Sequence, residues 1–184
     1  MPELVPPVAR VRASFVDAVA QFRAEGQSSF AGTSTLPPVD DHPGEFWSEE
    51  ELADPAVFER FVARLVAFAD PATELPHGYV HNTQLWWVAD DDYLGRLSIR
   101  HELTEPLLTW GGHIGYAVKP TARRQGHATA MLASALPIAH GLGIDPVLVT
   151  CDTDHVASRR VIESAGGRYE DTRQGKLRYW VPTG

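Results

Sequence analysis

The chain has 184 residues, 43% of them hydrophobic, which is enough for one domain with a full core and too few for two. A net charge of -8 and a pI near 5.4 exclude a nucleic-acid surface, because a duplex binder needs a basic face to displace counterions. The single cysteine, Cys151, leaves no internal disulfide and suits a reducing compartment; with no apolar run near the roughly 20 residues of a membrane span, and no apolar core in the opening MPELVPPVARVR, a cytoplasmic location is expected.

In chain order, Val11, Phe15, Val19 and Phe22 recur at three- and four-residue steps and predict a helix over 10–25 that stops at Gly26. From Gln27 to Asp54 the chain reads as an irregular acidic surface loop. Gly32, Pro37, Pro38 and Pro43 break it, Asp40, Asp41, Glu45, Glu49, Glu50, Glu51 and Asp54 charge it, and Phe46 and Trp47 form its aromatic pair. A second helix starts with Asp54 as N-cap and Pro55 at its first position; Val57, Phe58, Phe61, Leu65 and Phe68 give the buried stripe, and Pro71 ends it. Strands are expected over 83–89 and 93–103, turning at Asp90, Asp91 and Asp92, and over 113–118. A helix over 127–140 closes at Gly141 or Gly143, a short apolar strand covers 146–150, a helix covers 156–165 before Gly166 and Gly167, and a last strand covers 177–181. The order implies a mixed α/β sheet covered by crossover helices, in one domain over 1–184.

The stretch from Gly112 to Leu132, GHIGYAVKPTARRQGHATAML, is the most informative. A strand, a proline, an Arg-Arg-Gln-Gly turn and then a helix leave a row of unsatisfied N–H groups at the positive end of the helix dipole, which suits an anion. Arg123 and Arg124 add donors shaped for phosphate oxygens, and a pyrophosphate is the expected ligand. The dinucleotide fingerprint does not apply, because Gly111, Gly112 and Gly115 lack its spacing and precede a strand. There is no Walker glycine-lysine pair.

Arg123, Gln125, Gly126 and Ala128 resemble the acyl-CoA signature of the Gcn5-related N-acetyltransferases, Gln or Arg, any two, Gly, any one, then Gly or Ala. The segment CDTDHVASRRVIESAGG from Cys151 to Gly167 is similar to that family's later motif, and Arg178, Tyr179, Trp180 and the opening Glu3 to Pro7 look like a bacterial predicted-acetyltransferase subgroup. The resemblance implies a central, mostly antiparallel twisted sheet with splayed middle strands and about four flanking helices. It also implies acetyl-CoA as cofactor, with the amides of Gln125, Gly126, His127, Ala128 and Thr129 around the pyrophosphate and the strand edge at Ala117 and Val118 along the pantetheine. His155 stands where the family has Asn, and Ile162 where many members have a Tyr acid; Ser158 is a further expected cofactor contact.

The implied activity is direct acetyl transfer to a primary amine of a small molecule or peptide. It needs a base and an oxyanion donor. His113 is favoured as base because histidine titrates near neutrality, with Glu102 and His101 as alternatives and Tyr116 as donor. Direct transfer needs no covalent enzyme intermediate, so Cys151 reads as a packed strand-end residue. The acidic loop suggests a cationic acceptor, relatives suggest a homodimer, and no metal site is expected because the eight histidines are scattered. Competing readings are a non-catalytic acyl-CoA binding module and an interaction domain that kept only the fold.

Overall fold

The computed structural model describes residues 1–27, 32–36 and 44–184, with the backbone alone for 34–36. Asp40 and Asp41 of the expected acidic loop lie outside them. The elements are β1 (Glu3–Val5), α1 (Arg12–Ala24), β2 (Ser34–Leu36), β3 (Glu45–Phe46), α2 (Glu49–Ala53), α3 (Pro55–Ala67), β4 (Asn82–Ala89), β5 (Asp92–Arg100), β6 (Ile114–Val118), α4 (His127–Gly141), β7 (Val147–Asp152), α5 (Val156–Ser164), β8 (Arg168–Arg173) and β9 (Lys176–Val181).

A 7-stranded sheet runs in the order β1-β4-β5-β6-β7-β9-β8. Its neighbours pair antiparallel except β6 and β7, which run parallel and meet at one register pair, Ile114 with Val149. Beyond that pair the two strands part, as the splayed-sheet expectation requires. Just before it, the His113 N–H donates to the Leu148 carbonyl at 2.7 Å and His113 Nδ1 accepts from the Leu148 N–H at 2.8 Å. Gly112 enters this junction with φ 67, and a Cβ there would stand 2.6 Å from the Leu148 carbonyl oxygen, so the close approach needs glycine.

Each face of the sheet has its own core. On one, α4 and α5 cover Leu85, Trp87, Leu97, Ile99, Ile114, Val149 and Tyr179. On the other, α1, α2 and α3 bury an aromatic cluster against Trp86, Val88 and Tyr93. Phe15 of α1 is its hub, with ring centroids 5.4 Å from Phe58, 5.5 Å from Phe61, 5.0 Å from Trp86 and 5.0 Å from Tyr93. Edge and tilted geometries of this kind add to the area that the rings bury.

Both early helices start and stop close to expectation, and the Asp54 side chain accepts from the Val57 N–H at 3.0 Å at the start of α3. The 27–54 segment is more regular than its composition suggests. β2 pairs with β3, and α2 is fixed by a capping box in which Ser48 and Glu51 satisfy each other's backbone N–H groups. The second strand of the hairpin stops at Arg100 instead of Leu103, because the chain bends at His101 and Glu102 and winds into a π-helical turn over Leu107–Gly111. β1 and β8 are additional strands, and α2 raises the helix number above the expected four. Among the described residues no helix is long and apolar enough to cross a membrane.

Candidate active site

The loop from β6 to α4 carries the first half of the site. After Val118 the chain makes a short 3-10 turn at Pro120–Ala122, takes a left-handed conformation at Arg124 (φ 65), and enters α4 through Gly126 (φ 84). Gly126 is required by this backbone angle and not by crowding, since a Cβ there would meet nothing within 4 Å. The α4 ladder begins with the Ala130 N–H on the Gly126 carbonyl at 3.1 Å. Consequently the amides of Gln125, Gly126, His127, Ala128 and Thr129 have no acceptor among the described residues. They form a concentrated set of free donors at the positive end of a 15-residue helix.

The two arginines of this loop are in different situations. Arg123 turns back onto α1: Nη1 donates to Glu25 at 2.8 Å, Nη2 to Gln27 at 3.1 Å and Nε to the Val118 carbonyl at 3.2 Å, with the guanidinium 5.7 Å from the Phe22 ring centroid. Arg124 is exposed and has no partner among the described residues. Thr121 also bonds α1, through Gln21 Oε1 at 3.2 Å from its N–H and 3.0 Å from its hydroxyl, and Lys119 Nζ lies 2.7 Å from Asp17. Asp17, Gln21 and Glu25 are spaced four apart, so one polar stripe of α1 holds the whole loop.

His127, the first residue of α4, is oriented from below. Trp87 of β4 donates its indole N–H to His127 Nδ1 at 3.1 Å, which leaves Nε2 as the ring nitrogen turned to other partners.

Across the gap, α5 supplies the second half. His155 precedes its first turn and is exposed, whereas Ser158 is buried, its Oγ 2.7 Å from the Tyr116 hydroxyl. This contact links β6 to α5 where β6 and β7 have parted. Burial pushes the Tyr116 phenol up to about 12, against the opposing hydrogen bond from Ser158. Past Ile114 the β7-facing edge of β6 has no strand partner. Ala117 turns its backbone groups to β5, where it pairs with Arg96, while Val118 lies on the open edge with its carbonyl taken by Arg123 Nε. Ile162 is wholly buried in the α4/α5 core, and Cys151 is buried with its thiol pushed up by desolvation.

His113 precedes β6 and Glu102 follows β5, at the end of these strands away from the donor loop. β6 separates them from the donor loop by five residues, roughly 16 Å at about 3.3 Å per residue. With its Nδ1 lone pair taken by the Leu148 N–H, the His113 ring is a donor at Nε2. Burial, with the Arg100 charge nearby, lowers its pKa to about 4, so it stays neutral at pH 7. Glu102 is exposed in the bend after β5. His101 is tied to Thr83, Nε2 to Oγ1 at 2.9 Å, and burial lowers its pKa.

Several contacts around the candidate site escaped sequence reasoning: those of the Trp87 indole, Lys119, the α1 stripe and Arg100 of β5. Only the stripe had a local signal, its four-residue spacing; the others depend on neighbours distant in sequence. Most acidic residues of the 44–54 segment have internal partners. Glu45 pairs with Arg64 at 2.7 Å, Glu49 with Arg23 at 3.0 Å, Glu51 closes the capping box and Asp54 caps α3.

The geometry agrees with what comparison finds. The family model for the acetyltransferase (GNAT) domain matches residues 36–168. No curated protein sequence matches the chain. Among solved structures, the chain is similar to Mycobacterium smegmatis RimJ in complex with CoA-disulfide, at 19% identity and TM-score 0.63 over 98% of this chain and 81% of that one. It is similar to the ribosomal-protein-S5-alanine acetyltransferase of Vibrio fischeri at 11% identity and TM-score 0.62, covering 99% and 93%. The microcin C7 self-immunity acetyltransferase MccE, in complex with acetyl-CoA and AMP, gives 11% identity and TM-score 0.61, covering 98% and 92%. These likenesses carry the fold, and the family match, over most of the chain, carries the assignment: the protein belongs to the GNAT family of acetyl-CoA-dependent N-acetyltransferases.

Proposed function

We propose that this protein moves an acetyl group from acetyl-CoA directly to a primary amine of a small molecule or peptide, with both bound at once. The observation that carries the reading is the row of acceptor-free amides from Gln125 to Thr129, opening beside the parted edge of β6. These amides and Arg124 suit a pyrophosphate, and the open β7-facing edge of β6 at Tyr116 and the Val118 N–H suits the amides of a pantetheine chain, with Ala117 supporting that edge through its pairing with β5. Ser158, in contact with Tyr116 of β6, and the exposed His155 at the start of α5 are further cofactor contacts in this reading. Arg123 serves as a positioning residue that anchors the loop to α1.

Bound acetyl-CoA supplies the thioester carbonyl that the amine attacks and the thiol that leaves. A new C–N bond forms, the C–S bond breaks, and one proton passes from the nitrogen to a base. Glu102 is the better base, since it is exposed and can pass the proton to water, whereas His113 has committed its lone pair to the backbone. The Tyr116 hydroxyl is a hydrogen-bond donor for the developing oxyanion. Its raised pKa suits donation without proton loss. With Ile162 in the core, the departing thiolate takes its proton from solvent.

Thiol release with a panel of amines tests the reading, and transfer to at least one primary amine is expected. Gly126→Glu should abolish CoA binding in calorimetry, because it strains a φ of 84 and puts negative charge among the anion donors. CoA binding without turnover of any amine would replace the reading with that of an acyl-CoA binding module.

A further inference from the structure

On the face of the sheet opposite α4 and α5, Arg100 has no counter-charge among the described residues. Leu97, Ile99 and Ile114 point into the α4/α5 core, so strand alternation puts Arg100, His113 and Gly115 on the other face. Arg100 is largely covered there. Its Nη1 donates to the Gly111 carbonyl at 3.2 Å and to the Gly112 carbonyl at 3.1 Å. No acceptor among the described residues meets Nε or Nη2, and no carboxylate among them lies within ion-pair distance of the guanidinium. The well-buried Arg178, by contrast, has two carboxylate partners, Glu170 at 2.6 Å and Asp171 at 2.5 Å. Covered charges are normally paired, and one that is not pulls its own pKa down: burial and the nearby Arg96 lower that of Arg100 to about 10.

The free Nε–Nη2 edge is the fork that receives two parallel bonds from a planar carboxylate. That edge is not sealed from solvent, since neither Nε nor Nη2 of Arg100 is among the fully buried side-chain atoms that lack a partner in the described residues. Gly115 keeps the approach open to this extent only: a Cβ there would already be in contact with the guanidinium, 3.6 Å from both Nη atoms and 3.7 Å from Ser98 Oγ. The place is also suitable for an acceptor, because it lies at the start of β6, one strand length from the anion-binding loop that follows Val118.

The geometry points to Arg100 as the binding residue for a carboxylate carried by the acceptor amine, so that the substrate class is amino acids or peptides with a free carboxylate near the reacting nitrogen. This rests on the acetyl-transfer reading for the identity of the ligand, but the anion site itself can be tested without turnover. The internal pairing of Glu45, Glu49, Glu51 and Asp54 leaves those carboxylates with partners other than a cationic acceptor.

The test is an NMR titration of the free protein and of the CoA-loaded protein with N-acetylglycine, a minimal product bearing a carboxylate, and with N-acetylglycinamide, its neutral counterpart. The carboxylate should bind about tenfold tighter or more, the scale of a charge-assisted pair, and should shift the Arg100 Nε–H and Gly115 signals. Arg100→Gln should remove the difference between the two ligands, and Arg100→Lys should keep part of it. Both variants should bind CoA as the unaltered chain does. Because Arg100 also holds the Gly111 and Gly112 carbonyls, unfolding curves accompany each variant, and the lysine variant keeps the charge if the glutamine one is unfolded. Equal affinity for both ligands, an undiminished difference in Arg100→Gln, or tighter binding of inorganic phosphate than of the carboxylate overturns the proposal. Failure to bind CoA would instead overturn the acetyl-transfer reading and leave the free-protein titration to judge Arg100.

Discussion

His113 and Trp87 show how single hydrogen bonds decide what a titratable ring can do. His113 accepts a backbone N–H at Nδ1, so protonation would break the junction of β6 and β7. Its pKa is about 4 in the folded chain against an ordinary value near 6.5, so the unfolded chain binds a proton first as pH falls. Stability from this group is therefore complete above about pH 6.5 and is lost progressively towards pH 4. Thermal unfolding between pH 7.5 and 5 should show a declining Tm whose slope is shallower in His113→Asn, and the same variant should keep the shape of the kcat/KM pH profile. An unchanged slope would place the acid sensitivity elsewhere. At the other end of β6, Trp87→Phe deletes the indole donor that orients the His127 ring. The loss of one hydrogen bond predicts about two- to tenfold weaker CoA binding by calorimetry, with little change in KM for the amine.

At the scale of elements, α1 serves two partners. Phe15, Val19 and Phe22 face the aromatic core, while Asp17, Gln21 and Glu25 hold the loop that leads into α4. The Arg123–Glu25 pair has side chains 36% and 39% exposed, so as a stability contribution it is small, within about 1 kcal/mol. Its effect should appear in loop placement instead. Combining Glu25→Ala with Gln21→Ala should weaken CoA binding about three- to tenfold, a loss of one or two such bonds, while Tm falls by only a few degrees. Equal loss of binding and of fold would mean that the stripe is merely structural. The same elements mark what could be read in advance. The 3.6-residue periodicity of α1 and the Asp-Pro start of α3 were legible because their signals are local. The Ser48-Glu51 capping box was equally local and was hidden by the proline and acid content around it. β8 was missed because RYEDTR is an exposed edge whose charges carry no alternation, and β1 because three residues are too few for a pattern.

For the whole molecule, two cores on one sheet divide the labour: the α4/α5 side supports the donor loop, and the aromatic side fixes α1 beneath it. Phe15→Ala would leave a cavity between α1, α3 and the sheet and should cost about 3–5 kcal/mol in denaturant unfolding, a large share of a domain's stability. A loss below 1 kcal/mol would mean that the cluster closes over the gap. The free amides at the start of α4 were readable from sequence, since glycine, arginines and a helix start occupy one short stretch. The acceptor side was not, because Arg100, Gly111, Gly112 and Gly115 become neighbours only when β5, the π-helical turn and β6 assemble.

The single register pair between β6 and β7 makes the sheet two plates hinged at one corner, four strands on one side and three on the other. Plates so joined can open separately, each with its own local unfolding free energy. A molecule that bonds both banks of the gap adds rungs that the protein omits, and it stabilises the closed arrangement by the mass-action amount set by its own concentration and Kd. Grip on the donor and cohesion of the fold are thus one quantity measured at two places, and a substitution that loosens the corner at His113 will be felt by a ligand it never touches.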